Sequence, residues 1–418
     1  MSEMFKAKPL FLVLLTFVTL TGIYQIRKLQ LFQKCTDSRY YVGLNSSWRR
    51  HIPLIEPKHA NSTTKPTEIA CKPYQHIVLL KTHKTGSTTM SLILQRYGFL
   101  RNLTFASPKR GHIISHTHFN RKQVLPGTYD LLVNHVRYNR TEMEAVMKPD
   151  TKYITIIRDP STQLESVFGY FQLFNPLHLQ NEQNPYRTFM SKPQYFLDRY
   201  PEFRQRSYLR NPLLYDFGLD HVQQLNRTLL NETIRKIETE FDLIMLQEYF
   251  NESLLLLKKL FCWEWDDILY ITKTVRIASL RYNVSDKIRE DARKWCASDA
   301  QLYDHFKVIL LEKLKNYGPE LEKDLKILEF KLNQTMYECT LPDKTPNIKD
   351  RSYWPIANLK HNNTLCPYMM KSAKEFARTV RNKQIVKSSV KTKKVLKPLS
   401  LTRRKRNKKL SRRRKKNG

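Results

Sequence analysis

Four apolar residues, Ile77-Val-Leu-Leu80, run without a break into Lys81-Thr-His-Lys-Thr-Gly-Ser-Thr-Thr89. An amphipathic stretch from Thr88 to Tyr97 follows. A short apolar run bounded by polar residues is the pattern of a strand covered on both faces. Strand, tight turn and helix in that order gather backbone N–H groups at a helix N-terminus, where the partial positive charge favours an anion. Lys81 and Lys84 add whole charges, Ser87, Thr88 and Thr89 add hydroxyls, and Gly86 allows close backbone approach. With Thr82 and Thr85, these residues form a candidate phosphate cradle. It is not a Walker A loop, which places its lysine directly after a second glycine; here both lysines precede the turn's one glycine. An ordinary P-loop nucleoside triphosphatase or nucleotide kinase is therefore disfavoured.

A second block has the same design. Tyr153-Ile-Thr-Ile-Ile157 ends in Arg158-Asp159, and Pro160 opens a helical stretch, Ser161 to Phe171. Ser166 lies eight residues after Arg158, about two helical turns on. A strand-end arginine and a helix-borne serine are a candidate pair for one phosphate, with Asp159 holding Arg158 or capping the helix. Two further runs, Leu131-Leu-Val133 and Leu243-Ile-Met-Leu246, read as strands, and Glu252 to Phe261 as a helix. Strand–helix alternation predicts an α/β fold with a central, mostly parallel sheet. Residues 286–330 carry apolar residues at helical period and predict surface helices packed on that sheet.

The termini differ from this body. Residues 9–26 hold 18 uncharged, mostly apolar residues, just enough to span a bilayer as a helix. An uncleaved anchor is favoured over a signal peptide, because no small-residue cleavage site follows. Ten Asn-x-Ser/Thr sequons, from Asn45 to Asn362, all lie after that run and predict a luminal body. Six cysteines without a C-x-x-C pair argue against structural zinc, and an oxidising lumen would pair some of them. The chain carries a net charge of +35, of which +20 lies in residues 371–418. The expected organisation is a cytoplasmic tail (1–8), an anchor (9–26), a stem (27–70), a catalytic body (71–370) and a basic, disordered tail (371–418).

Together the two strand–turn blocks resemble the sulfotransferase superfamily, whose donor is 3′-phosphoadenosine 5′-phosphosulfate. Further strings resemble the Golgi galactose-3-O-sulfotransferases, which include the cerebroside sulfotransferase. They are Leu80-Lys-Thr-His-Lys-Thr85, Asn134-His-Val-Arg137, Arg158-Asp-Pro160, Tyr208-Leu-Arg-Asn211 with Asp216-Phe-Gly218, and Leu246-Gln-Glu-Tyr-Phe250 through Cys262-Trp263. The likeness spans about Cys71 to Cys366, and Cys71, Cys262, Cys339 and Cys366 sit where that family tends to have cysteines. It implies a single-pass type II Golgi membrane enzyme that sulfates the 3-hydroxyl of terminal β-galactose on glycolipids or glycoproteins, without a metal. It also implies that Lys81 to Thr89 hold the 5′-phosphosulfate, and that Arg158 and Ser166 hold the 3′-phosphate.

Sulfuryl transfer needs a base, an in-line approach and stabilised charge on the leaving phosphate. Lys84 suits the last role, with Lys81 as a helper or a strand cap. A base should titrate near neutrality, which favours histidine. His135, at the end of the second strand, leads; His83, inside the loop, is its rival, and a carboxylate is the third choice. Gly111-His-Ile-Ile-Ser-His-Thr-His118 invites a metal site but reads as a solvated or acceptor-lining loop. Arg137, Arg210 and Glu248 are open as cofactor or sugar contacts, and Trp263 and Trp265 read as core. The basic tail predicts contact with anionic glycan or lipid, not nucleic acid, and a homodimer is left open. The competing class is a non-enzymatic binder of acidic glycans, which explains the tail but not two ordered phosphate motifs. The acceptor among galactosylceramide, N-glycan and O-glycan is not specified by the sequence.

Overall fold

The computed structural model describes residues 71–384 except 274, 278–280, 348–351 and 361. The expected anchor, the stem and the tail beyond 384 lie outside the described residues. Among the described residues, no helix is long and apolar enough to cross a membrane.

In chain order, β1 (Ile77–Leu80), α1 (Ser87–Leu100), β2 (Ile113–His118), β3 (Leu131–Leu132) and β4 (His135–Arg137) come first. Next are β5 (Lys152–Ile157), α2 (Pro160–Tyr170), α3 (Pro212–Asp216), α4 (Arg227–Glu240), β6 (Leu243–Leu246) and α5 (Phe250–Phe261). Then come β7 (Val275–Arg276), α6 (Asp286–Trp295), α7 (Ala297–Lys315), α8 (Glu320–Cys339), β8 (Thr340–Asn347) and β9 (Ser352–Ala357).

The four apolar runs form one sheet, ordered β3-β1-β5-β6, with every pair parallel. All four β1 side chains are fully buried, as a strand covered on both faces requires. Leu254, Leu255, Leu257 and Phe261 bury one face of α5, and Leu302, Phe306 and Leu310 one face of α7, which packs against β6. Leu80 lies opposite Thr155, so the turns leaving β1 and β5 emerge side by side at the sheet's carboxyl edge. In open parallel sheets that edge is where ligands bind. A second core, with Leu164, Phe168, Tyr186, Phe189 and Leu209, supports the lobe next to it.

Two disulfides, Cys71–Cys262 and Cys339–Cys366, close the body, and Cys296 is free and buried. The first ties the segment before β1 to the end of α5, across 191 residues.

Two expectations are corrected. The histidine-rich stretch is not a loop: Ile113–His118 is β2, paired in parallel with β4. Its side chains are half-buried or exposed, so the apolar alternation that marks a strand is faint. The body also extends past 370. Residues 373–384 are helical, and Phe376, Ala377 and Val380 are buried. Those three positions make a narrow apolar stripe that the surrounding lysines and arginines conceal. Lys383 and Gln384 donate to the carbonyls of Phe99 and Phe105, and Arg381 to that of Gly111. Phe376→Ala is expected to destabilise the fold by about 3–5 kcal/mol, the usual effect of emptying a buried aromatic site. A thermal midpoint within a degree of the parent would show that this helix does not pack.

Candidate active site

The turn after β1 is braced by its own hydroxyls. Thr82 Oγ1 lies 2.7 Å from Thr85 Oγ1 and donates to Ile156 O on β5, while Ser87 Oγ donates to Thr82 O. Thr82, Thr85 and Ser87 are buried, so they shape the cradle from behind. Lys84, Gly86, Thr88 and Thr89 form its solvent side. Lys84 (φ 61°) and Gly86 (φ 82°) both take the left-handed region, with Thr85 between them. At Gly86 that conformation selects glycine. No side chain caps α1, so the first-turn N–H groups face the cradle's mouth.

Arg158 joins the second block to the first. Its Nη1 donates to Lys84 O at 3.3 Å and its Nε to Thr162 Oγ1 at 2.8 Å. Thr162 stands one helical turn before Ser166, and no hydrogen bond joins Arg158 to Ser166 among the described residues. Ser166 is half-buried on α2, and its hydroxyl makes no hydrogen bond among the described residues. Asp159 caps α2 through Ser161 N and pairs with Arg293. Glu248 accepts from Asp159 N at 3.0 Å and from Tyr303 OH at 3.1 Å, so it braces this turn. Arg137 is buried on Tyr215 O and Asp220, and Arg210 lies over Trp295. Trp263 stacks on Tyr97 in the core, as expected.

The structure separates the roles of the two histidines. His135 Nδ1 is 2.8 Å from Lys81 O, which only accepts, so Nδ1 carries the proton. Its remaining lone pair, on Nε2, faces Lys81 Nζ at 2.7 Å and is occupied by that ammonium. Burial, then the Lys81 charge, hold His135 well below the usual histidine range. His83 is oriented differently. Its Nδ1 lies 2.9 Å from Asp216 Oδ1, and its backbone N–H donates to Asp216 Oδ2 at 2.7 Å. Asp216 is 1% exposed. Its carboxylate accepts a hydrogen bond from Nδ1–H, which leaves the lone pair on His83 Nε2. No hydrogen bond to that nitrogen occurs among the described residues. The ring packs between His135, with centroids 4.3 Å apart, and Tyr208, at 4.2 Å, with Phe171 beyond. Gln163 Nε2 donates to His83 O at 2.7 Å. A carboxylate that holds one nitrogen and frees the other for proton transfer is the arrangement of a general base.

Lys81 also contacts Thr88 Oγ1 at 3.2 Å. Burial, with the Lys84 charge beside it, lowers Lys81 to about 7. Lys84 Nζ lies 3.8 Å over the ring of Tyr170. The cradle thus brings together Lys81, Lys84, His83, His135 and Arg158. Asp216, Thr162, Gln163, Tyr170 and Tyr208 complete it, none with a role predicted from sequence. Asp216 is 133 residues from His83, and the Asp216-Phe-Gly218 string that marks it gives no sign of their contact.

The β2 histidines diverge: His116 Nε2 meets Arg204 at 2.9 Å and His118 Nε2 meets Gly218 O at 2.7 Å. His112 is lowered by burial, then by Lys81 and Lys374, which places the C-terminal helix beside this wall. A separate cavity of about 560 Å³ opens at the amino ends of β5 and β6. Its charges are matched among themselves, as in Lys152–Asp242 and Arg140–Glu144, and it lies at the sheet edge opposite the cradle.

The family profile described as galactose-3-O-sulfotransferase matches residues 1–388. The chain belongs to the galactose-3-O-sulfotransferase family. It is 35% identical to the galactosylceramide sulfotransferase of Bos taurus over 292 residues, 67% of this chain and 68% of that protein. Galactose-3-O-sulfotransferase 3 of Mus musculus is 35% identical over 66% of this chain and 65% of its own length. Galactose-3-O-sulfotransferase 2 of Homo sapiens is 32% identical over 59% and 63%. The chain spans about two thirds of these family members. The donor that the family implies fits the cradle: uncapped N–H groups and three cations converge at one sheet edge.

Lys81 carries a stability cost with a defined pH dependence. Between pH 7 and 10.5 the unfolded chain holds a proton that the folded chain has released, so its contribution to stability improves as pH rises. Lys81→Met should therefore raise the thermal midpoint of the ligand-free protein, more at pH 6.5 than at pH 9, while lowering activity. A lower midpoint at pH 6.5 would show that the buried ammonium is not a cost.

Proposed function

We propose that the chain transfers the sulfuryl group of 3′-phosphoadenosine 5′-phosphosulfate to the 3-hydroxyl of a terminal β-galactose. One observation carries this reading: the Asp216-held His83 stands in the same turn as Lys81 and Lys84, at the carboxyl edge of β1. The donor, when bound, supplies the activated sulfuryl group. The α1 N-terminus with Lys81 and Lys84 would hold its 5′ end, and Arg158 and Ser166 its 3′-phosphate. His83 Nε2 takes the proton of the attacking hydroxyl, and Asp216 stabilises the imidazolium so formed. Lys84 and Lys81 offset the negative charge that grows on the leaving phosphate, more in the transition state than before it. His135 fixes Lys81 from its backbone carbonyl to its ammonium and takes no proton itself. The relatives' names supply the galactose and, in galactosylceramide, a lipid that carries it.

Transfer of labelled sulfate to β-galactosides, lipid and oligosaccharide side by side, tests this directly. His83→Ala should lower kcat/KM by about 10²–10⁴-fold, the usual contribution of a general base, and His135→Ala by less. A folded protein that labels no galactose acceptor would refute the activity. The reverse ranking of the two histidine variants would reassign the base.

The proposed compartment is the Golgi, with residues 9–26 as a type II anchor and the body in the lumen. The sequons after the apolar run and the two disulfides support it. The basic residues of the C-terminal tail would there meet anionic glycans or lipid headgroups. Protein made in secretory cells should gain electrophoretic mobility on digestion with a peptide N-glycosidase. Unchanged mobility would count against a luminal body.

A further inference from the structure

Asp216 reaches His83 from a helix of five residues, α3, too short to hold its own position. Tyr138 N and Arg137 hold its last carbonyls, and Asp299, in the first turn of α7, holds its start. Leu213 N donates to Asp299 Oδ2 at 2.7 Å and Leu214 N to Oδ1 at 2.9 Å. Asn211, which precedes α3 in the left-handed region (φ 46°), returns the contact: its Oδ1 accepts from Asp299 N at 3.2 Å. The carboxylate therefore pins α3, and α3 carries Asp216. Asp299, Asn211 and Asp216 are all buried.

We propose that Asp299 is a positioning residue for the base, setting the place of Asp216 against His83 Nδ1. The proposal rests on the reading of His83 as the base. A carboxylate wholly removed from water is an expensive way to satisfy two N–H groups. Burial pushes Asp299 up to about 8 against the pull of those donors, with the charge of Asp216 adding to the rise. Cys296 also faces it, and burial, then Asp299, keep that thiol protonated. His83 is faced by Asp216, His135 and Tyr208, with the charges of Lys81 and His116 nearby. Among the described residues, Asp216 alone hydrogen-bonds its ring, and it also accepts from the His83 backbone N–H, so displacement of α3 acts on His83 through that carboxylate.

The test is Asp299→Ala in the full chain, with kcat, donor KM and the rate–pH profile measured well below its unfolding temperature. The expected result is a kcat loss of about 10²-fold, as for a small misplacement of a reacting group. Donor KM should stay within about twofold, and the acidic limb of the profile should move. In an Asp216→Asn background the same change should add less than about twofold, because coupled residues are not additive. Asp299→Asn, which keeps one acceptor, should recover part of the loss. If Asp299→Ala does not fold, Asn211→Gly keeps the left-handed backbone and removes only the acceptor for Asp299 N. It should then show a smaller loss of the same kind. Unchanged kcat and profile, or full additivity with Asp216→Asn, overturns the proposal. Should His83→Ala itself retain activity, the base assignment has failed instead, and the two failures are distinguishable.

Discussion

The pairing of β1 with β5 is the constraint on which the rest depends. Its ladder ends with Leu80 opposite Thr155, and Thr155 Oγ1 donates to Leu80 O at 2.8 Å. Thr82 crosses to Ile156 O just beyond. A shift by one residue would turn every β1 side chain to the other face and separate the two turns. Because the strands are parallel, both turns leave at the same edge, and Arg158 can reach the Lys84 carbonyl. Each turn alone is an ordinary helix start; side by side they would surround one anion.

The electrostatics at that edge are arranged at the expense of the ligand-free fold. Lys81 is 5% exposed, and its neighbours are a histidine lone pair and a hydroxyl, not a carboxylate. Lys84 rests on an aromatic face. The nearest buried acid, Asp216, is committed to His83. A carboxylate beside Lys81 would stabilise the protein and compete with a phosphate for the same charge. A buried lysine at a functional site is a familiar conflict between stability and activity.

Much of this was readable from residue order. The four core strands lie in mostly apolar runs of three to five residues, so their burial on both faces is written locally, and all four appear in one parallel sheet. The cradle is likewise one contiguous segment. What stayed hidden depends on distant partners. What distinguishes the surroundings of the two histidines, Asp216 on the His83 ring and Lys81 on that of His135, is not revealed by strand position. That Arg158 also binds Thr162, one helical turn before Ser166, is finer than spacing alone resolves. The helix at 373–384 was masked by its own charge. The small antiparallel sheet, β7-β9-β8, was missed because Pro342, Pro346 and Pro355 interrupt two of its strands.

The bond between Cys71 and Cys262 bears on how the chain is made. Translation at about 5–20 residues per second separates the emergence of its two halves by roughly 10–40 s. Throughout that interval the first thiol is available to other cysteines, and β1 has neither β5 nor β6 for much of it. An oxidant that acted in strict order of appearance would join Cys71 to a wrong mate. Correct closure therefore calls for either delayed oxidation or a shuffling step after α5 has been synthesised.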